Sequence, residues 1–166
     1  MITKPSIESL PEQPYVAIKR QLSMAELGQA AERLLAEVFE WLTAHNTTPA
    51  GAPFFKYNTI DMPKRLEIEF GVPTAFKASG DSHVVAGVLP AGRYATLVHQ
   101  GAYDRLIEAN AALLNWIAEN RLILDRRKIE AGDQFGCRLE IYLTDPAKEP
   151  NPEKWETKLA FRLADQ

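Results

Sequence analysis

Two stretches of the chain space their apolar residues three and four apart, and most of the remainder alternates apolar with polar. Leu27, Ala31, Leu34, Leu35, Val38 and Leu42 form one stripe, which predicts a helix with a single buried face. Ser23-Met24-Ala25-Glu26 opens it as a capping box, with the serine hydroxyl taking the N3 amide and the glutamate reaching back to the cap. Asn46 suits a left-handed stop. A second helix, over about 104–119, presents Leu106, Ile107, Leu113, Leu114 and Ile117. Alternation predicts strands at 7–10 and 15–22 around a proline turn, then at 54–58 and 65–70, separated by Asp61-Met62-Pro63. Further strands are expected at 84–89 and 93–99 around Pro90-Ala91-Gly92, at Phe135 and 138–143, and at 155–163. The polar stretch 77–82 reads as a joint and 145–152 as a proline-rich loop.

These elements come twice in the same order. Leu10-Pro11 with Tyr15 is answered by Leu89-Pro90 with Tyr94, Trp41 by Trp116, and Asn46 by Asn120. Arg65-Leu66-Glu67-Ile68 recurs as Arg138-Leu139-Glu140-Ile141, and the offset drifts only from 79 to 73 residues. The expectation is a single α+β domain spanning 1–166, with internal repeats at about 7–73 and 84–163. Each repeat is a duplicated strand–helix–strand–strand unit. The units join in one antiparallel sheet with two helices on one face and a ligand cleft on the other.

Alternation assigns the faces. If Leu66, Ile68 and Phe70, like Leu139, Ile141 and Leu143, face the helices, then Glu67, Glu69, Glu140 and Tyr142 face away, beside Arg65 and Arg138. Glu67 and Glu140 are then expected in one cleft, with Glu140 the deeper because Tyr142 shares its strand face. Phe55 and Tyr57 share one face of a neighbouring strand and can border the carboxylates. Trp155 shares a face with Leu159 and Phe161, which favours burial beneath the helices, although a tryptophan at strand entry can also edge a cavity.

Composition narrows the partners. A net charge of −3 and pI near 5.7 give no basic field for a phosphate backbone, so direct nucleic-acid binding is not expected. The lone Cys137 cannot form an internal disulfide and reads as a buried thiol. The start of the chain lacks an apolar signal core, and no apolar run approaches the ~20 residues that span a bilayer, so a cytoplasmic protein without a membrane partner is expected. His45, His83 and His99 lack ligand spacing, so no metal and no cofactor is expected. There is no phosphate loop, dinucleotide fingerprint or Ser-His-Asp arrangement.

Leu89–Ala95 (LPAGRYA), His99-Gln100-Gly101-Ala102-Tyr103, Trp116, the segment 138–146 (RLEIYLTDP) and Glu69-Phe70-Gly71-Val72-Pro73 occur together in order. In this the chain resembles the GyrI-like small-molecule-binding domains, which are also effector-binding domains of AraC- and MerR-type regulators. The resemblance implies a cavity for lipophilic, often cationic molecules, with a cavity glutamate at the position of Glu140. A carboxylate beneath aromatic rings suits a cation, since ring faces add about 0.5–2 kcal/mol of cation–π attraction. The ligand-binding residues expected are therefore Glu140, Tyr142, Glu67, Tyr57, Phe55 and Trp155. Too little chain precedes Leu10 for a helix-turn-helix, so a stand-alone binding protein is expected. One alternative is a hydrolase of small molecules using Glu140 as acid or base, in line with some relatives. The other is a protein-interaction module, either gyrase-inhibitor-like or the partner of a regulator.

Overall fold

Helix formation begins where the sequence places it. In the computed structural model, which describes residues 1–61 and 65–165, Ser23 Oγ accepts from the Glu26 amide at 3.2 Å and Glu26 Oε1 accepts from the Ser23 amide at 2.9 Å. This capping box opens α1 (Met24–Ala44). The second helix is preceded by a 3-10 turn at Tyr103–Arg105 and then runs as α2 (Leu106–Glu119). Asn46 stops α1 with a left-handed φ of 52°. After α2 the same conformation falls on Arg121, at 54°, and not on Asn120, which caps the helix one residue earlier.

The strands are β1 (Ser6–Leu10), β2 (Gln13–Leu22), β3 (Phe54–Asp61), β4 (Arg65–Pro73), β5 (Val85–Leu89) and β6 (Gly92–Gln100), followed by β7 (Arg126–Ile129), β8 (Gly132–Phe135), β9 (Arg138–Tyr142) and β10 (Glu156–Arg162). The hairpin β7–β8 is a polar element that alternation did not reveal beyond Phe135; it pairs onto β3 only at Thr59 and Ile60. Met62 and Pro63 of the expected turn lie outside the described residues.

All pairings are antiparallel, and the strand order is β1-β6-β10-β9-β3-β4-β2-β5. Outward from the centre the order is β3-β4-β2-β5 on one side and β9-β10-β6-β1 on the other, so the connectivity is two-fold about the β3–β9 pair. That symmetry corrects one expectation. The two Arg-Leu-Glu-Ile segments are not equivalent, because Arg65–Ile68 lies on β4 while Arg138–Ile141 lies on the central strand β9. The strand equivalent to β9 is β3. The pair Phe55–Glu140 sits at the centre, and two residues further along each strand stand Tyr57 and Tyr142.

Both helices cover one face. Leu27, Leu34, Val38 and Leu42 of α1 pack with Val16, Ile18, Ile68 and Phe70, while Ala109, Leu113 and Ile117 of α2 pack with Ala95, Leu97, Leu159 and Phe161. The opposite face is also apolar, with Tyr15, Ala17, Phe54, Leu89, Tyr94, Cys137, Leu139 and Ala160 clustered there. Because α1 lies over β2 and β4 and α2 over β6 and β10, the helices are about four strand spacings, roughly 19 Å, apart along the sheet. Helices in direct contact stand only about 8–10 Å apart. The central strands β3 and β9 thus form the floor of a trough between them.

The second cluster sets a test of packing. A Cβ added at Gly71 would lie 2.5 Å from Cζ of Phe54, a ring that is fully buried against it. Gly71→Ala is expected to destabilise the fold by about 1–3 kcal/mol in denaturant unfolding. Pairing it with Phe54→Leu should recover part of that loss, and an unchanged unfolding midpoint for Gly71→Ala alone would contradict this packing.

Candidate functional site

Glu140 lies at the bottom of the trough, on the helix-covered face. Its strand neighbours on that face are Phe55 of β3 and Leu159 of β10, members of the two helix-facing clusters. Asn110 of α2 reaches down to it. This overturns the expected face of β9, where Glu140, Tyr142 and Arg138 face the helices and Leu139 and Ile141 face away. Leu143 follows the strand and is largely exposed. The physical reason is the second apolar cluster, since apolarity cannot say which way a strand points when both faces of the sheet are buried.

Glu67 therefore does not share a cleft with Glu140. It lies on the helix-free face of β4 and lines two cavities there, of about 360 and 590 Å³, against the β7–β8 hairpin. Glu69, on the same face, is 6% exposed and accepts from Tyr15 Oη and Asn58 Nδ2, both at 2.7 Å, with Lys56 Nζ at 3.4 Å. Burial raises its pKa, but the Lys56 charge and these donated bonds outweigh it and hold the carboxyl below its ordinary value. Arg65 is exposed at the start of β4 and donates to the Gln21 carbonyl at 3.3 Å.

The other expected residues do converge. Tyr57 Oη donates to Glu140 Oε1 at 2.9 Å and Tyr142 Oη to the same oxygen at 2.8 Å, so the two equivalent tyrosines flank the central carboxylate. Asn110 Nδ2 donates to Oε2 at 3.1 Å, and Arg138 Nη2 donates to Asn110 Oδ1 at 3.1 Å. Arg138 also stacks over Phe135 and Phe161, with its guanidinium carbon 4.9 and 4.5 Å from the ring centres. Phe55 packs edge-on against Tyr142 at 4.8 Å, Tyr103 against Tyr142 at 5.4 Å, and Trp155 lies 4.7 Å from Tyr103. The α1 wall is apolar. Trp41 and Glu37 reach outward to Asp81 and His83, which turns the opposite flank, with Leu35 and the partly exposed Phe39, toward the trough.

Glu140 is 8% exposed and held by three donors, yet among the described residues no Lys, Arg or His nitrogen lies within 4.0 Å of it. Asn110 stands between it and Arg138. Sequence reasoning missed Asn110, because a polar residue on a helix flank carries no pattern of its own. Its position one helical turn before Leu114, on the flank beside the buried stripe, is the available signal.

Burial raises the Tyr57 and Tyr142 hydroxyls well above their ordinary value, and the adjacent Glu140 charge adds to this. Burial also raises Tyr15, Tyr94 and Tyr103, which makes all five tyrosines of the chain. Burial pulls Arg138 below its usual value, against the opposing effect of Glu140. Among the described residues no group of three His, Cys, Asp or Glu is placed to hold a metal, and no helix is long and apolar enough to cross a membrane.

Residues 3–164 match the family model described as the GyrI-like small molecule binding domain. Among solved structures, the EcmrR C-terminal domain superposes with a TM-score of 0.77 at 17% identity, covering 98% of both chains. EcmrR in its DNA complex matches with a TM-score of 0.79 at 16% identity, and the present chain spans 58% of that protein. SAV2435 bound to tetraphenylphosphonium matches with a TM-score of 0.61 at 12% identity, over 98% of this chain and 94% of that one. A hydrolase from Listeria innocua matches with a TM-score of 0.59 at 16% identity, over 97% and 92%. At these identities the likeness is one of fold. No curated protein matches.

The tyrosines give the site a direct spectroscopic test. Each folded phenol sits above its unfolded value, so the stability it contributes is complete below about pH 10 and is lost as the pH rises past that value. Tyrosinate absorbance should therefore lag in the folded protein and appear together with alkaline unfolding, while in guanidinium all five tyrosines titrate normally. Two or more tyrosines ionising near pH 10 in the folded state would contradict the burial of this cluster.

Proposed function

The chain belongs to the family of GyrI-like small-molecule-binding domains, and we propose that within it this protein binds lipophilic cations in the trough between α1 and α2, with Glu140 as the counter-charge. The observation that carries this reading is a buried carboxylate ringed by hydrogen-bond donors and aromatic rings, with no cation in ion-pair contact among the described residues. Three donated hydrogen bonds orient the carboxylate, and a cationic ligand would supply the charge partner that no described residue places against it. Tyr57 and Tyr142 place aromatic rings beside the same carboxylate, Tyr103 and Trp155 extend that aromatic surface away from it, and a ring face over the cation is worth about 0.5–2 kcal/mol. Leu35 and Phe39 supply an apolar wall for the ligand body, and Asn110 fixes the carboxylate plane. The tetraphenylphosphonium held by SAV2435 is a ligand of the class this trough would take.

A second reading uses the same residues. The hydrolase from Listeria innocua shares the fold. A carboxylate beside two phenols and a tryptophan could serve as acid or base on a bound small molecule. The two readings part on Glu140→Gln: for a hydrolase, turnover vanishes while binding of the substrate persists, and for a binder, affinity itself falls.

Calorimetric titration with tetraphenylphosphonium is the test. Wild-type protein is expected to bind with micromolar affinity, and Glu140→Gln to weaken it at least tenfold, about 1.4 kcal/mol. Glu67→Gln, on the opposite face, is expected to leave the affinity within a factor of about two. Equal affinity for wild type and Glu140→Gln would overturn the proposal, and so would a loss on Glu67→Gln alone.

A further inference from the structure

Beside the Glu140 cluster, on the same face, two neighbouring polar atoms are buried without a partner. Thr157 on β10 is in register with His99 on β6 on one side and Tyr142 on β9 on the other. Thr157 is fully buried and His99 is 2% exposed. Among the described residues neither Thr157 Oγ1 nor His99 Nδ1 has a hydrogen-bond partner. Buried side-chain polar atoms are nearly always paired, so two adjacent exceptions call for a third group between them. They do not belong to the carboxylate's own network, which closes on Tyr57, Tyr142 and Asn110.

An aromatic ring lies over Thr157. Trp155 precedes Thr157 by two residues and shares its face, so Thr157 is flanked by Tyr142 across the sheet and Trp155 along it. The Tyr103 ring rests against both, at 5.4 and 4.7 Å, and therefore lies over Thr157. Tyr103 lies two residues after Gly101, whose φ of 142° is glycine's territory and which sits against the His99 imidazole, where an added Cβ would make ordinary van der Waals contact with Cε1 at 3.4 Å. Among the described residues the Tyr103 hydroxyl has no hydrogen-bond partner, so the ring gives up its packing on Tyr142 and Trp155, and no hydrogen bond, when it swings aside.

Both orphaned atoms can donate. Burial disfavours charging His99, as do the Met1 ammonium and Arg105, and together these outweigh Glu108 and Asp104. The neutral imidazole in its Nδ1–H form is a donor, as is the threonine hydroxyl. Two neighbouring donors on one face of the sheet suit an oxygen with two lone pairs. Thr157 lies two residues along and one strand across from Glu140, about 8 Å away.

We propose that Thr157 and His99, beneath the Tyr103 ring, form a second anchor of the ligand trough that takes a carbonyl oxygen, so that the ligands preferred by this protein are lipophilic cations carrying a carbonyl group. The inference rests on the cation-binding reading of Glu140 and refines its ligand class.

A matched pair of dyes separates the two claims. Tetramethylrhodamine methyl ester and tetramethylrosamine share one cationic ring system and differ by the ester. Thr157→Val is expected to weaken the ester about tenfold and to leave the rosamine within about twofold, whereas Glu140→Gln weakens both. If Glu140→Gln weakens both dyes and Thr157→Val weakens neither, or both equally, the carbonyl anchor is wrong and the cation site stands. If Glu140→Gln leaves both dyes unaffected, the cation reading fails, and this inference with it. A measurement without ligand supplies an independent check. Removing a hydroxyl that has no partner should leave the melting temperature of Thr157→Val equal to or above that of wild type. A fall of more than about 3 °C would mean that the hydroxyl is already bonded within the protein and would overturn the anchor.

Discussion

The pairing of β3 with β9 is the constraint from which the rest of the molecule follows. Only three residue pairs make it: Phe54 with Ile141, Phe55 with Glu140 and Lys56 with Leu139. Everything outside this seam belongs to one side or the other, each with its own helix over its own strands. Because the seam is uncovered by either helix, whatever it carries on that face lies at the floor of a trough. It carries a glutamate at the centre and a tyrosine on each side. One face of one strand pair thus sets the depth of the carboxylate, the symmetry of its donors and the width of the opening above it.

Symmetry of framework and asymmetry of chemistry meet at that point. Tyr57 and Tyr142 are equivalent and act alike, both donating to Glu140 Oε1. The central pair itself is unlike, a phenylalanine facing a glutamate, so the centre of the trough floor carries one carboxylate and not two. Asn110 then gives the α2 wall a polar contact that the α1 wall, with Leu35 and Phe39, does not offer. On the proposed reading, a charged floor, one polar wall, one apolar wall and a ring on either side would orient an amphipathic cation. The helix-free face does the opposite with its glutamate, since Glu69 is already paired with Lys56 and with the donors Tyr15 and Asn58. Glu69 is thus paired within the fold, whereas Glu140 has hydrogen-bond donors and no ion-pair partner among the described residues.

Much of the framework was legible in the chain. The capping box, the apolar stripes and the alternating strands each depend on a local rule, and each appears near its expected position. The α+β class and the helices on one face follow from those elements. Phe55, Tyr57, Glu140 and Tyr142 were legible as a group and lie together, while Trp155 reaches them only through Tyr103. Legibility failed where a local pattern had to stand for a tertiary fact. The repeated Arg-Leu-Glu-Ile looked like a pair of equivalent strands, but its copies fall on β4 and β9, which occupy different places in the sheet. Alternation separated the two faces of β9 correctly and then named them the wrong way round, because Leu139 and Ile141 bury themselves against Tyr15, Phe54 and Tyr94 on the helix-free side. Asn110 and the β7–β8 hairpin are polar, and neither polar loops nor helix flanks announce what they touch.

The measurement that tests the central claim most directly is a crystal structure of the protein with tetraphenylphosphonium. The account predicts the cation in the trough between α1 and α2, in van der Waals contact with the Glu140 carboxylate and with the rings of Tyr57 and Tyr142 on either side. A cation bound instead on the helix-free face, in the cavities bordered by Glu67 and the β7–β8 hairpin, would contradict it.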